Sequence, residues 1–255
     1  MPDIAIPLSP SAESSAAESL PAYQADPPAG VPVRGGLVLI HEIWGLVGHI
    51  RDVADRYAAE GFVVVAPDIL SHAGIDPEVG AELNRLVKSA DDEERTIAQP
   101  MLREKMSPLQ APEYGAWAVA ALKRVVDHVE ALAGVDGRVA ALGFCFGGTY
   151  SFALAAADPR IRAAVPFYGA PPADTDIAAT GCPILAFYGD EDERLMVTLP
   201  EVTRGYADAG VDYRAEVYPG RKHAFFNDTN TAAYDADAAA DAWRQSLAFL
   251  DANLR

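Results

Sequence analysis

From Gly36 onward, short apolar runs rich in β-branched residues alternate with longer stretches whose apolar residues recur every three to four positions. The runs are Leu37–Ile40, Phe62–Ala66, Val139–Phe144, Ala163–Tyr168, Ile184–Tyr188 and Tyr213–Tyr218. A strand with one wet face alternates apolar and polar residues, whereas a strand that is apolar throughout must be covered on both faces. The intervening stretches supply that cover. Leu122, Val125, Val126, Val129 and Leu132 fall on one helical stripe, with Gly134 as a C-cap candidate, and Trp243, Leu247, Leu250 and Leu254 form another. Two further helices are expected at about 47–60, ending before Gly61, and about 147–158, ending before Pro159. Strand–helix alternation of this kind predicts one α/β domain: a mostly parallel sheet with helices on both faces.

The first 35 residues are rich in Ala, Ser and Pro and predict little beyond short edge strands. We place an N-terminal segment at 1–20 and the α/β domain at 21–255. Residues 69–112 interrupt the alternation and read as two short polar helices joined by Pro and Gly. An insertion there lies at the C-terminal edge of the sheet, where parallel sheets bind ligands, so it forms a lid, a substrate wall or a solvated connection.

Charge narrows the partners. The 255 residues carry 20 Lys and Arg against 37 Asp and Glu, a net −17, a field that repels phosphate backbones and anionic lipid. Neither nucleic acid nor membrane is an expected partner. No apolar run approaches the roughly 18 residues of a spanning helix. Asp3 stands where a signal peptide would carry positive charge, so the expected location is cytoplasmic, with a monomer as the default state. Two cysteines, Cys145 and Cys182, cannot build a disulfide framework or a four-cysteine zinc site. Cys182, before Pro183 at the start of a strand, reads as structural. The five histidines show no metal-ligand spacing, and no metal is expected.

The sharpest local signal is Gly143-Phe144-Cys145-Phe146-Gly147-Gly148, set between an apolar strand and a helix. It has the glycine–x–nucleophile–x–glycine form of a nucleophile elbow, with Cys in place of Ser. A strained turn of this kind needs neighbours without Cβ so that strand, turn and helix can approach. The helix beginning at Phe146 points its positive end at the sulfur and favours the thiolate, and the Phe146 N–H points to where an oxyanion would form. A base is then required. His223 follows the strand Tyr213–Tyr218 in a loop before the terminal helix, and imidazole suits proton transfer near neutrality. Past Ile184–Tyr188 come Asp190, Glu191, Asp192 and Glu193; Asp192 is the choice for the acid that orients His223, with Asp190 second and the glutamates solvated. The chain order nucleophile, acid, histidine is that of α/β-hydrolases. Glu42, just past Leu37–Ile40, falls at the exposed sheet edge beside Cys145, and its neighbour His41 reads as a packing residue.

The segments HEIWG, GFCFGG, YGDED and KHAFFN, in that order and spacing, closely resemble the dienelactone hydrolase family, the carboxymethylenebutenolidases, from about Pro21 to the C-terminus. The resemblance implies a minimal α/β-hydrolase fold with no cofactor or metal. It makes Cys145 the nucleophile, completed by Asp192 and His223, with Glu42 touching the resting thiol and the N–H groups of Ile43 and Phe146 forming the oxyanion hole. A carboxylate beside Cys145 would hold the thiol proton and shield the sulfur from oxidation. Family members that act on dienelactone carry an arginine four residues past the catalytic histidine, where this chain has Asn227. A second family arginine falls in the segment matching 69–112, with Arg85, Arg95 and Arg103 as candidates. Trp44, Phe144, Phe146 and Phe226 are candidates for an apolar pocket; Trp44, Phe226 and Asn227 are the substrate-binding candidates. The expected activity is hydrolysis of a small lactone or ester through an acyl-enzyme. The alternatives are a broad carboxylesterase or thioesterase and, in another class, a ligand-binding protein that does not turn over.

Overall fold

The computed structural model describes residues 3–8, 18–89, 91–173 and 175–255, without the side chain of Arg95. In chain order the elements are β1 (Asp3–Pro7), β2 (Ser19–Ala25), β3 (Gly35–Ile40), α1 (Gly48–Ala59), β4 (Phe62–Pro67), α2 (Pro77–Val87), α3 (Asp92–Met106), α4 (Pro112–Glu130), β5 (Val139–Phe144), α5 (Phe146–Ala157), β6 (Ile161–Phe167), β7 (Ile184–Gly189), α6 (Glu193–Asp208), β8 (Tyr213–Tyr218) and α7 (Ala236–Asn253). The eight strands form one sheet in the order β1-β2-β4-β3-β5-β6-β7-β8. The six strands from β4 to β8 in that order run parallel, and β1 and β2 pair antiparallel at the edge beside β4.

The apolar runs become central strands because nothing else in the chain can be dry on both sides. β3, β4 and β5 are buried at every position. One layer of cover joins α1 to α7, where Tyr57 bonds Ser246 Oγ at 2.8 Å and its ring packs on Trp243. The other joins α4 to α5, whose apolar positions lie against β3, β5 and β6. The chain runs from β3 outward to β4 on one side and crosses to β5 on the other. That reversal opens a crevice at the strands' C-terminal ends beside β3, the position where such sheets bind ligands.

Several expectations change in detail. β2 runs across the boundary drawn at residue 20, and β1, inside the proposed N-terminal segment, belongs to the sheet; residues 1, 2 and 9–17 of that segment lie outside the described residues. α4 starts ten residues before Leu122, with Pro112 in its first turn, and stops at Glu130, so Leu132 and Gly134 (φ +81°) lie in the following turn. Residues 69–112 hold α2 and α3, each capped by an aspartate: Asp76 accepts from the Val79 N–H and Asp91 from the Glu93 N–H. The sequence pattern does not reveal α6, since Pro200 interrupts it and Val197 is 80% exposed, which blurs its apolar stripe. Among the described residues no helix is long and apolar enough to cross a membrane.

Candidate active site

Cys145 caps the N-terminus of α5 in a strained conformation, φ 56° and ψ −111°. Its N–H donates to the Phe167 carbonyl at 3.0 Å, tying the turn to the end of β6. The flanking glycines are there for clearance. A Cβ on Gly143 would lie 2.2 Å from the Gly147 carbonyl oxygen, and one on Gly147 would lie 2.0 Å from that of Ile40. Strand β3, strand β5 and helix α5 therefore converge on the sulfur with no space for a side chain. The Cys145 side chain is partly exposed, whereas Cys182 is buried in the core, its thiol pushed up to about 12 by desolvation.

His223 reaches the same point from the loop after β8. That loop is locked to the one after β7: the Glu191 N–H donates to the Arg221 carbonyl at 2.9 Å, and the Gly220 N–H donates to Asp190 Oδ1 at 2.6 Å. Asp190 thus holds the loop, and Asp192 faces the ring. Asp192 Oδ2 accepts from His223 Nδ1, and its Oδ1 accepts from the Leu195 N–H at the start of α6. Burial would raise the Asp192 carboxyl, but these bonds and the histidine's charge hold it below the ordinary aspartate value. The other His223 nitrogen is left for the Cys145 sulfur, which is near enough to act on the ring. Burial pulls the imidazole down, yet its bond to Asp192 and the nearby Cys145 outweigh that and push it up to about 10.

Glu42 differs from its expected setting. It is buried, at 3% exposure, and its hydrogen bonds come from two neutral donors: Tyr168 Oη to Oε1 at 3.3 Å and Asn227 Nδ2 to Oε2 at 2.7 Å. Tyr168 closes β6 with φ 38°, and burial, reinforced by the charges of Glu42 and Cys145, raises its hydroxyl so that it stays a donor. Asn227 is buried too, its Oδ1 accepting from the Thr229 N–H and hydroxyl at 3.0 and 2.7 Å.

Cys145, Ile43 and Phe146 open on a cavity of about 910 Å³. One wall is the small-residue face of α5, another the start of α4 with the turn Ser107–Gln110, and a third includes Pro172, Thr175 and Asp176. Its basic side chain is Arg194, exposed on the first turn of α6. The expected aromatic lining is rearranged. Phe146 lines the cavity, but Phe144 and Phe226 are buried and stack on one another at 5.2 Å within an aromatic core that includes Phe167. Trp44 lies outside the lining, its carbonyl pressed against Gly80 of α2. Asn227 serves Glu42. Arg85 pairs with Glu82 and Glu94 on the surface, Arg103 is exposed away from the cavity, and the Arg95 side chain is outside the described residues. Tyr168 and Arg194 were missed by sequence reasoning. The signal for Tyr168 was its place at a strand end level with the elbow, whereas Arg194 sits in a helix that the periodicity did not reveal.

The fold and the crevice at the strand ends are those of an α/β-hydrolase, and the protein is a carboxylic ester hydrolase. The family model of the dienelactone hydrolases matches residues 20–254, and the chain belongs to that family. A protein of Saccharolobus solfataricus provisionally named carboxymethylenebutenolidase is 30% identical over 84% of this chain and 88% of its own length. "Protein usf" of Aquifex pyrophilus is 31% identical over 89% of this chain and 90% of its own. Among solved structures, a provisionally named dienelactone hydrolase of Klebsiella pneumoniae superposes with a TM-score of 0.75 at 25% identity, covering 98% of both chains.

Proposed function

We propose that this hydrolase uses Cys145 as its nucleophile and opens a small lactone or carboxylic ester through an acyl-enzyme. The observation that carries the reading is the convergence, at the cavity wall, of Cys145 with a His223 ring that is hydrogen-bonded to Asp192. The thiol proton passes to His223 as the sulfur attacks the carbonyl carbon, and a C–S bond forms while the carbonyl electron pair moves to oxygen. The N–H groups of Ile43 and Phe146 receive that oxyanion; Phe146 is the first residue of α5, whose N–H has no intrahelical partner. Collapse breaks the C–O bond, and His223 gives its proton to the departing alcohol, which stays tethered when the substrate is a lactone. Water then loses a proton to His223 and attacks the thioester; the C–S bond breaks, the acid is released, and His223 returns the proton to the sulfur.

Glu42 acts in this scheme when it swings from Asn227 and Tyr168 to the thiol and holds its proton. While Glu42 is bound to those two donors, the thiol is left to His223. Alkylation of Cys145 across pH in the wild type and Glu42→Gln tests this role, and superimposable profiles would dismiss it. Asn227 in place of the family's arginine, together with an exposed Arg194 as the cavity's cation, favours neutral or weakly anionic substrates over a dianion held by paired arginines.

The test is hydrolysis of a dienelactone and of p-nitrophenyl acetate by wild type and Cys145→Ala, with mass spectrometry of the trapped intermediate. The expected result is turnover lost in the variant and an acyl adduct on Cys145. Undiminished hydrolysis by Cys145→Ala would refute the nucleophile. An adduct that forms without turnover would point to a binding protein instead.

A further inference from the structure

His41 is buried beside the site and has no place in the proton transfers just described. Its Nδ1 lies 2.8 Å from the Glu42 carbonyl oxygen, and its Nε2 accepts from the Ile69 N–H at 3.3 Å. A carbonyl can only accept and a backbone amide can only donate. Only one state of the ring satisfies both: the neutral imidazole with its proton on Nδ1. Burial lowers the imidazole below its ordinary value, against an opposing pull from Asp68, which agrees with a neutral ring.

The bond from Nδ1 matters because of which peptide it grips. The Glu42 carbonyl and the Ile43 N–H belong to one peptide unit, and no peptide bond among the described residues is cis. In a trans unit the C=O and N–H point in opposite directions. The Gly45 N–H also donates to the Glu42 oxygen, at 3.1 Å, so the carbonyl is held from two sides. Fixing it there aims the Ile43 N–H the other way, and Ile43 lines the cavity together with Cys145 and Phe146. The ring of His41 further lies parallel to that of Phe146, within 4° and 6.0 Å between centroids, so one imidazole abuts the residues of both oxyanion donors.

We infer that His41 is a positioning residue that clamps the Glu42–Ile43 peptide and thereby holds the Ile43 N–H toward the oxyanion. This inference rests on the mechanism proposed above. Without the clamp only the Gly45 N–H restrains the peptide against rotation about its Cα–Cα axis, and a rotated unit offers the oxyanion a carbonyl oxygen in place of a donor. Removing one donor of this kind costs about 10²–10³ in kcat, so a loosened donor costs part of that range.

Two isosteric variants separate the clamp from bulk packing. The side-chain amide of His41→Asn sits near the position of Nδ1 and keeps a donor for the Glu42 oxygen. In His41→Gln the amide reaches the position of Nε2 and leaves that oxygen without it. Each is assayed with p-nitrophenyl acetate, and Cys145 is separately alkylated with iodoacetamide, a displacement that develops no carbonyl oxyanion. The expected result is kcat lowered about 10- to 100-fold in His41→Gln and within about 3-fold of wild type in His41→Asn, with KM and the alkylation rate unchanged in both. Equal kcat in the two variants, or alkylation falling in step with kcat, overturns the clamp alone. Hydrolysis persisting in Cys145→Ala would overturn the nucleophile, and the clamp with it.

Discussion

The setting of Glu42 allows a quantitative test. A buried carboxylate held by one good bond at 2.7 Å from Asn227 and a longer one at 3.3 Å from Tyr168 depends heavily on the asparagine. Asn227→Leu keeps the branched shape and deletes the donor. Stripping a partner from a buried charge costs about 3–5 kcal/mol. The lower end applies, because Tyr168 stays and the positive charge of Lys88 acts on Glu42. Losing the Asn227 Oδ1 contacts to Thr229 adds about 1 kcal/mol. The total, about 4 kcal/mol, lowers Tm by roughly 8–16 °C in a domain of this size. Replacing the charge should remove most of that penalty. In a Glu42→Gln background the lost bond is between neutral groups, worth about 1 kcal/mol, so Asn227→Leu then costs about 2 kcal/mol and the two sites couple by about 2 kcal/mol. Urea unfolding of the four proteins in the double-mutant cycle reads this directly. A coupling below about 0.5 kcal/mol would show that the Nδ2–Oε2 contact is not what Asn227 contributes, and that the Glu42 charge is held by something else.

Other consequences are simpler to read. Gly147→Ala puts a methyl group 2.0 Å from a backbone oxygen that cannot move without shifting β3, so it should cost about 3 kcal/mol or more, seen as a Tm loss above about 6 °C; an unchanged Tm would contradict this packing. His223 is raised from 6.5 to about 10 on folding, so its contribution to stability is full below pH 6.5 and is lost as pH rises through about 10. Asp192→Asn removes much of the cause, and its Tm should therefore fall less than that of the wild type as pH rises from about 7 to just beyond about 10; parallel curves would refute the pairing. Arg194→Ala should leave hydrolysis of neutral esters unchanged and raise KM for a monoanionic ester about 2- to 5-fold, the range of an exposed ion pair. Equal effects on both substrates would exclude Arg194 from anion binding.

The sheet was legible in the sequence because its strands are dry on both faces and β-branched, a pattern few other elements produce. The local part of the site was legible for a related reason: a nucleophile elbow advertises itself through glycines on both sides of one residue. What the sequence hid was long-range. The donors that hold Glu42 lie 126 and 185 residues away, so a buried, doubly bonded carboxylate read as an exposed loop acid. Phe226 looked like a pocket residue because it follows His223 closely, but the chain turns after Ala224 (φ 63°) and packs Phe226 against Phe144 and Phe167. Arg194 was hidden because an interior proline and an exposed valine mask the helix that carries it.

The register of β3 against β5 has a consequence of its own. Ile40 pairs with Gly143 in the parallel ladder, so the chain leaves the two strands side by side, toward Ile43 on one and Phe146 on the other. Adjacent strands keep a spacing of about 4.8 Å, enforced by every rung of the ladder behind them. The separation of the two strand ends is thus a property of the sheet and not of either loop, much as the width of a track is set by its sleepers. A span fixed this way cannot be tuned by surface mutation without breaking the core. Diversification toward new esters in this scaffold should therefore run through the wall at 107–112 and the cavity-lining face of α5, while the strand ends that flank the site keep one spacing.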